Sequence, residues 1–285
     1  MLSYRHAFHA GNHADVLKHT VLVQLLKHFN QKEKSYWVAD THAGAGIYAL
    51  DQGHAAKNAE YETGIAHLWN PSDIPAALTD YLGLVRELNG GPGSRLRRYP
   101  GSPWLALRLM RETDRLRLFE LHGTDVRMLD QTLRRAFPDR GKCYAIRQAD
   151  GFNELKSVLP PPPRRGLTLI DPSYEDKRDY LRTLMTLKEG LARFPTGTFA
   201  VWYPQIPLGD ARALPEKLKK LPMKDWLHLR LTVSRPPEGG FGMYGSGMFI
   251  ANPPWTLAES MAPALECLAD RLRVDDQAVA LIEAS

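Results

Sequence analysis

The chain has 285 residues, 44% of them hydrophobic, enough to bury a substantial core as one large α/β domain or as a domain carrying an insertion. Its apolar runs fall short of the roughly 18 residues that a membrane span needs, and the opening MLSYRHAFHAGNHAD lacks the apolar stretch of a secretory signal, so a cytoplasmic protein without a membrane partner is expected. Two cysteines, Cys143 and Cys267, exclude a disulfide framework and a CxxC motif, and the net charge of +5 favours a phosphate-rich partner without identifying one.

Residues 12 to 29, NHADVLKHTVLVQLLKHF, carry apolar positions at helical spacing behind Asn12 as N-cap, which puts Asp15 and His19, four apart, on one face. A short apolar strand, Tyr36 to Asp40, runs into the loop THAGAG at 41 to 46. Between Gly46 and Arg115 the sequence offers helix-like segments, AEYETGIAHLW (59–69) and PAALTDYLGLVREL (75–88), and no obvious sheet strand. Strand-like runs follow at 115–121, 143–150, 166–171, 198–204, 226–233 and 247–253, several separated by helical patterns. This alternation predicts an α/β fold, a mostly parallel sheet with helices on both faces. Seven strands resemble a Rossmann-like class I methyltransferase sheet, whose last pair is a hairpin; the Pro- and Gly-rich stretch 235–247 would connect it. The expected division is a core of residues 1–46 and 96–285 with a small helical insertion at 47–95.

The ends of the strands carry the chemistry. In DTHAGAG (40–46), Gly44 and Gly46 let backbone approach a ligand at the carboxyl edge of the sheet. A dinucleotide fingerprint needs a third glycine where Ala49 stands, which disfavours a nicotinamide cofactor. The second strand ends in Glu120, placed to accept hydrogen bonds from two ribose hydroxyls, although an exposed strand-end acid is as common. The third ends in Asp150-Gly151, where the carboxylate can take an adenine amino group and the glycine lets the ring lie on the backbone; alone, a turn-forming Asp-Gly is the commoner case.

The fourth strand ends in LIDPSYE (169–175), the most specific local signal. An amino group on an aromatic base is a poor nucleophile because its lone pair is delocalised into the ring. Hydrogen bonds from that nitrogen to the Asp171 carboxylate and the Pro172 carbonyl favour the pyramidal, attacking geometry and stabilise the positive charge that develops there. Tyr174 is a candidate to stack on the extruded base.

The D-P-x-Y element resembles the (D/N)PP(Y/F/W) motif of amino-directed methyltransferases. LSYRHAFHAGNHADVLKH at the start, DTHAGAG, YPGSP (99–103), RRGLTLIDPSYE (164–175), VWYP (201–204) and SGMFIANPPW (246–255) together resemble the bacterial 23S ribosomal RNA adenine-N6 methyltransferase J family over nearly the whole chain. The resemblance implies S-adenosylmethionine as methyl donor and methylation of the adenine at position 2030 of 23S ribosomal RNA. It also implies His19, His42, Ser102, Glu120, Asp150, Gly151 and Asp171 around the donor, Asp171 as the catalytic residue, and Tyr4 facing the RNA. One departure is Ser173, where the motif has its second proline; the Asp171 carboxylate and the Pro172 carbonyl survive it.

His9 and His13, four apart, suggest a metal pair, but methyl transfer from a sulfonium needs no metal, and none is expected. A monomer is expected. For RNA, the leading basic candidates are Arg97, Arg98, Arg164 and Arg165, each pair preceding a proposed site segment. Alternatives are a DNA adenine-N6 or guanine-N2 methyltransferase, since DPxY chemistry is shared among such substrates, and a noncatalytic RNA-binding relative, for which Ser173 is the only hint.

Overall fold

The computed structural model describes residues 8–51, 59–70, 72–239 and 242–285. Asn12 caps the first helix, α1 (His13–Asn30), its side-chain oxygen accepting from the Ala14 and Asp15 N–H groups at 3.0 Å each. Most of α1 is buried around its whole circumference, so it is a core helix with no solvent stripe. It lies against the central sheet.

Among the described residues, eight strands form that sheet in the order β10-β8-β9-β7-β6-β1-β4-β5. The strands β1 (Trp37–Asp40), β4 (Arg115–Glu120), β5 (Tyr144–Gln148), β6 (Gly166–Ile170) and β7 (Thr198–Gln205) run parallel, while β8 (Trp226–Thr232), β9 (Gly245–Ala251) and β10 (Val279–Ala284) are antiparallel additions. The seven expected strands are present, and β10 is an eighth. Its apolar VALIEA lies half-buried at the sheet edge, where it pairs with β8 antiparallel.

The strands alternate strictly between faces. Leu167, Leu169, Ala200 and Ile250 point into one cluster with α1, α2 (Ala76–Leu88), α3 (Ser102–Leu109) and α7 (Leu257–Arg271); Ile170, Val201, Tyr203 and Phe249 point into a second with α5 (Arg178–Arg193) and α6 (Gly209–Lys219). Helix α4 (Gly123–Ala136) links β4 to β5.

In the segment 47–95, Leu78, Tyr81, Leu82 and Val85 of α2 join the same hydrophobic cluster as Leu17, Val21 and Leu25 of α1. The helix expected over 59–69 is only a 3-10 turn, Ile65–Leu68. Gly64 interrupts it, because its backbone presses so closely on Gly11 that a Cβ there would lie 2.1 Å from the Gly11 carbonyl oxygen. Antiparallel pairing of β2 (Ile47–Ala49) with β3 (Arg98–Pro100), on either side of this segment, returns the chain to the sheet's carboxyl edge and delivers Ser102 there.

Candidate active site

The loops after β1, β4, β5 and β6 meet at the carboxyl edge. The loop after β1 is wedged between its neighbours, the Thr41 N–H donating to the Leu169 carbonyl and the Ala43 N–H to the Phe119 carbonyl. Glycine is required at 44, where φ is +61° and a Cβ would meet the Tyr48 hydroxyl at 2.3 Å. Glu120 is buried at the end of β4, one carboxylate oxygen accepting from the Gly44 N–H at 2.9 Å and the other from the His122 N–H at 2.8 Å. Each oxygen keeps a lone pair, the acceptor set that two vicinal ribose hydroxyls need.

At the end of β5 the Asp150 carboxylate caps a single helical turn, accepting from the Phe152 N–H and the Asn153 side-chain amide at 3.1 Å each. It also pairs with the Arg182 guanidinium, which lies over the Phe152 ring. An adenine amino group would be a fourth donor to this carboxylate, which has room for about four. Gly151 packs flush against the loop after β1, since a Cβ there would lie 2.0 Å from the Thr41 carbonyl oxygen. His42 sits edge-on to Phe152, and burial pushes its imidazole down to about 3, so it is neutral at physiological pH. These groups suit the ribose and adenine of S-adenosylmethionine.

Beside them lies a charge cluster that sequence reasoning only half identified. Lys18, 4% exposed, donates to Asp171 at 2.6 Å and pairs with Asp15 at 2.8 Å. Burial works against the Lys18 charge, but the two carboxylates outweigh it and hold its pKa well above the usual lysine range. Asp40, at the end of β1, accepts from the Ser102 hydroxyl at 2.6 Å and from the His42 N–H at 3.1 Å. Burial pushes the Asp40 carboxyl up to about 6; the Ser102 hydrogen bond opposes this and the Asp171 charge adds to it. Neither Lys18 nor Asp40 was singled out from the sequence. The signal for Lys18 was present as a cation three residues after Asp15 in an otherwise apolar helix.

This environment makes Asp40 a pH-dependent weight on stability. Unfolded, the carboxyl releases its proton near 3.8; folded, it keeps it up to about 6. Between these values the folded state binds more protons, so the advantage is full below about 3.8 and is lost as pH rises through about 6. Asp40→Asn is neutral at every pH and can still hydrogen-bond Ser102. It should therefore be more stable than wild type by an amount that grows with pH and levels off at about 1–3 kcal/mol in neutral solution. Urea melts at acidic and neutral pH check this; a difference that does not change with pH would refute it.

Among the other expected site residues, His19 is buried, its Nδ1 2.8 Å from the Tyr99 hydroxyl, which in turn meets Tyr81 at 2.8 Å. This chain joins α1 to β3 and α2. Pro172 is buried directly after Asp171. Tyr174 is 5% exposed, with φ +55°; its hydroxyl donates to the Trp202 carbonyl at 2.8 Å and its ring packs on Tyr180 and Trp202. In this conformation no base can stack over it, contrary to the expectation from the motif. Tyr4 lies outside the described residues. Arg164 and Arg165 precede Gly166, the first residue of β6, and so lie at the sheet edge opposite Asp171. The expectation that they border the pocket fails, because a residue that precedes a strand in sequence is separated from the strand's carboxyl end by its whole length. Among the described residues, no group of three or more His, Cys, Asp or Glu is placed to hold a metal ion, and no helix is long and apolar enough to cross a membrane.

A sheet in this order, with a glycine loop after β1, an acid after β4, Asp-Gly after β5 and Asp-Pro after β6, defines a class I S-adenosylmethionine-dependent methyltransferase. Residues 33–281 match the family model RsmJ, described as ribosomal RNA large subunit methyltransferase D, RlmJ, and the chain belongs to this family. It is 43% identical over 272 residues to ribosomal RNA large subunit methyltransferase J of Escherichia coli (strain K12), with 95% of this chain and 94% of that protein covered. The protein of the same name from Haemophilus influenzae gives the same identity and coverage. Among solved structures, protein LPL1258 from Legionella pneumophila has a TM-score of 0.87 at 33% identity, covering 97% of this chain and 98% of that one.

Proposed function

We propose that this enzyme methylates N6 of one adenine in 23S ribosomal RNA, the adenine at position 2030 that the family resemblance implies. The observation that carries the reading is the anchored Asp171 carboxylate at the end of β6, 12% exposed, followed at once by Pro172. S-adenosylmethionine supplies an electrophilic methyl group on a positively charged sulfur. Glu120 holds the ribose hydroxyls, while Asp150 and Gly151 receive the adenine of the donor. Asp171 and the Pro172 carbonyl accept the two N6 hydrogens of the target base and turn its lone pair towards the methyl carbon. The N–C bond forms as the S–C bond breaks, and positive charge passes from sulfur to N6 beside the carboxylate. N6 becomes acidic only after transfer, so its proton then leaves to Asp171 or water. Positioning and electrostatics supply the catalysis, and no strong base is needed.

The decisive experiment is transfer of labelled methyl to total RNA, and in parallel to genomic DNA, from a strain lacking this protein, with nucleoside analysis and mapping of the product. Label in N6-methyladenosine at a single 23S position supports the reading. Label in DNA, or on a guanine amino group, replaces it.

The ribose assignment has its own test. Glu120→Ala should weaken donor binding by about 1.5–3 kcal/mol, the range for hydrogen bonds to a charged group. Calorimetric titration with S-adenosylmethionine measures it, and unchanged affinity would move the ribose site elsewhere.

A further inference from the structure

At the opposite edge of the sheet, where β6 and β7 begin and β9 ends, a polar cleft of about 280 Å³ opens between the end of α1 and the residues around Asn252. His28, Lys32, Arg164 and Arg165 line it, with no carboxylate among its lining residues. Arg165 serves the fold: its guanidinium donates to the Lys34 carbonyl at 2.6 Å and to the Phe29 carbonyl, and it lies over the Phe29 and Tyr36 rings. Its charge nevertheless faces the cleft: burial first, then the charges of Arg165 and Lys32, push the His28 imidazole below its ordinary value. The His28 Nδ1 is buried with no hydrogen-bond partner among the described residues. Arg164 and Lys32 are exposed, and neither makes an ion pair among the described residues. Arg164 is held at φ +51° in a turn closed by its own N–H on the Pro161 carbonyl at 2.8 Å, so the backbone that aims its side chain is fixed. The lining ends at Pro253 and Pro254, and the next residue, Trp255, is 84% exposed, an unusual position for so large an apolar ring.

Uncompensated cations beside a bare aromatic face suit a polyanion that also carries flat rings. We infer that this cleft is a second contact for the RNA substrate, taking one backbone phosphate on Arg164, another on Lys32 and an unpaired base on Trp255. The inference rests on the proposed ribosomal RNA substrate and extends it. The five residues of β6 separate the two edges by about 17 Å at ~3.3 Å per residue. A strand that reached both would have to pass round the helices, so the contact selects a long or folded RNA over a short oligonucleotide.

The test compares wild type with Lys32→Glu/Arg164→Glu and with Trp255→Ala, all at exposed positions, with a circular-dichroism melt to show that each variant is folded. Binding of full-length unmodified 23S RNA is measured across a salt series, and turnover is measured on that RNA and on a short oligonucleotide containing the target adenine. The charge reversal should weaken binding to the long RNA at least about tenfold and flatten the dependence of log K on log salt by about 1.4–1.8, since each lost phosphate contact is worth about 0.7–0.9. Trp255→Ala should weaken it about 5- to 100-fold with the slope unchanged, because stacking releases no counterions. Donor affinity and turnover on the short oligonucleotide should match wild type for both. Wild-type affinity and slope in the charge reversal would overturn the inference. So would inorganic phosphate that binds the cleft tightly without competition from the long RNA, which would make this a site for a free anion. If wild-type protein binds the RNA but methylates neither substrate, the catalytic reading fails while the binding result stands on its own.

Discussion

Asp171→Ala is expected to lower methyl transfer by about 100-fold or more, the scale on which removal of one preorganised charge-stabilising group slows an enzyme. Donor binding should weaken only partly, because the proposed ribose and adenine contacts are at Glu120, Asp150 and Gly151. The variant should fold, since Lys18 keeps Asp15 as a partner at 2.8 Å and no unpaired charge is left in the core. Asp171→Asn is the finer probe. It keeps an acceptor towards N6 but gives up the negative charge, so it should fall between alanine and wild type. Single-turnover rates at saturating donor measure the chemical step directly. Turnover of Asp171→Ala above about a tenth of wild type would remove Asp171 from the chemistry, because a group that stabilises the transition state must cost at least one pKa-sized increment of about 1.4 kcal/mol.

The parts of this fold that repeat a simple rule were legible. Strands β1, β4, β5 and β6 are each followed or ended by polar residues, and the proposed donor-site residues Glu120, Asp150, Gly151 and Asp171 sit there because a parallel sheet brings all its carboxyl ends to one edge. What failed depended on contacts between distant segments. A Tyr after Asp-Pro reads as a stacking platform, yet Tyr180 and Thr183 of the following helix and the Trp202 carbonyl of β7 draw Tyr174 into the core once those elements pack beside it. Arg164 and Arg165 read as neighbours of the catalytic strand end, yet strand direction carries them to the other edge. Arg182, 32 residues from Asp150 in sequence, reaches it only through the docking of α5 on the turn after β5. Lys18 was hidden because a buried lysine is rare enough that a helix rich in Leu and Val is read by its apolar residues.

Lys18→Met should have the larger consequence for folding. The methionine fills a similar volume, but it takes from the Asp15 and Asp171 carboxylates the buried ammonium that lies 2.8 Å and 2.6 Å from them. Removing one partner of a buried ion pair costs about 3–5 kcal/mol. A markedly lower denaturation midpoint is therefore expected, together with a fall in kcat, because Asp171 loses the bond that fixes its carboxylate towards the reacting amino group. Stability and positioning can be separated by adding Asp15→Asn. That second change removes one of the stranded charges and should return part of the lost stability, but it provides nothing to hold Asp171. Chemical denaturation and single-turnover rates on Lys18→Met and on the Asp15→Asn/Lys18→Met pair are the measurements. Recovered stability with turnover still low identifies Lys18 as the group that positions Asp171. If turnover returns together with stability, Lys18 serves only to balance charge, and the orientation of Asp171 must come from the backbone turn at Pro172.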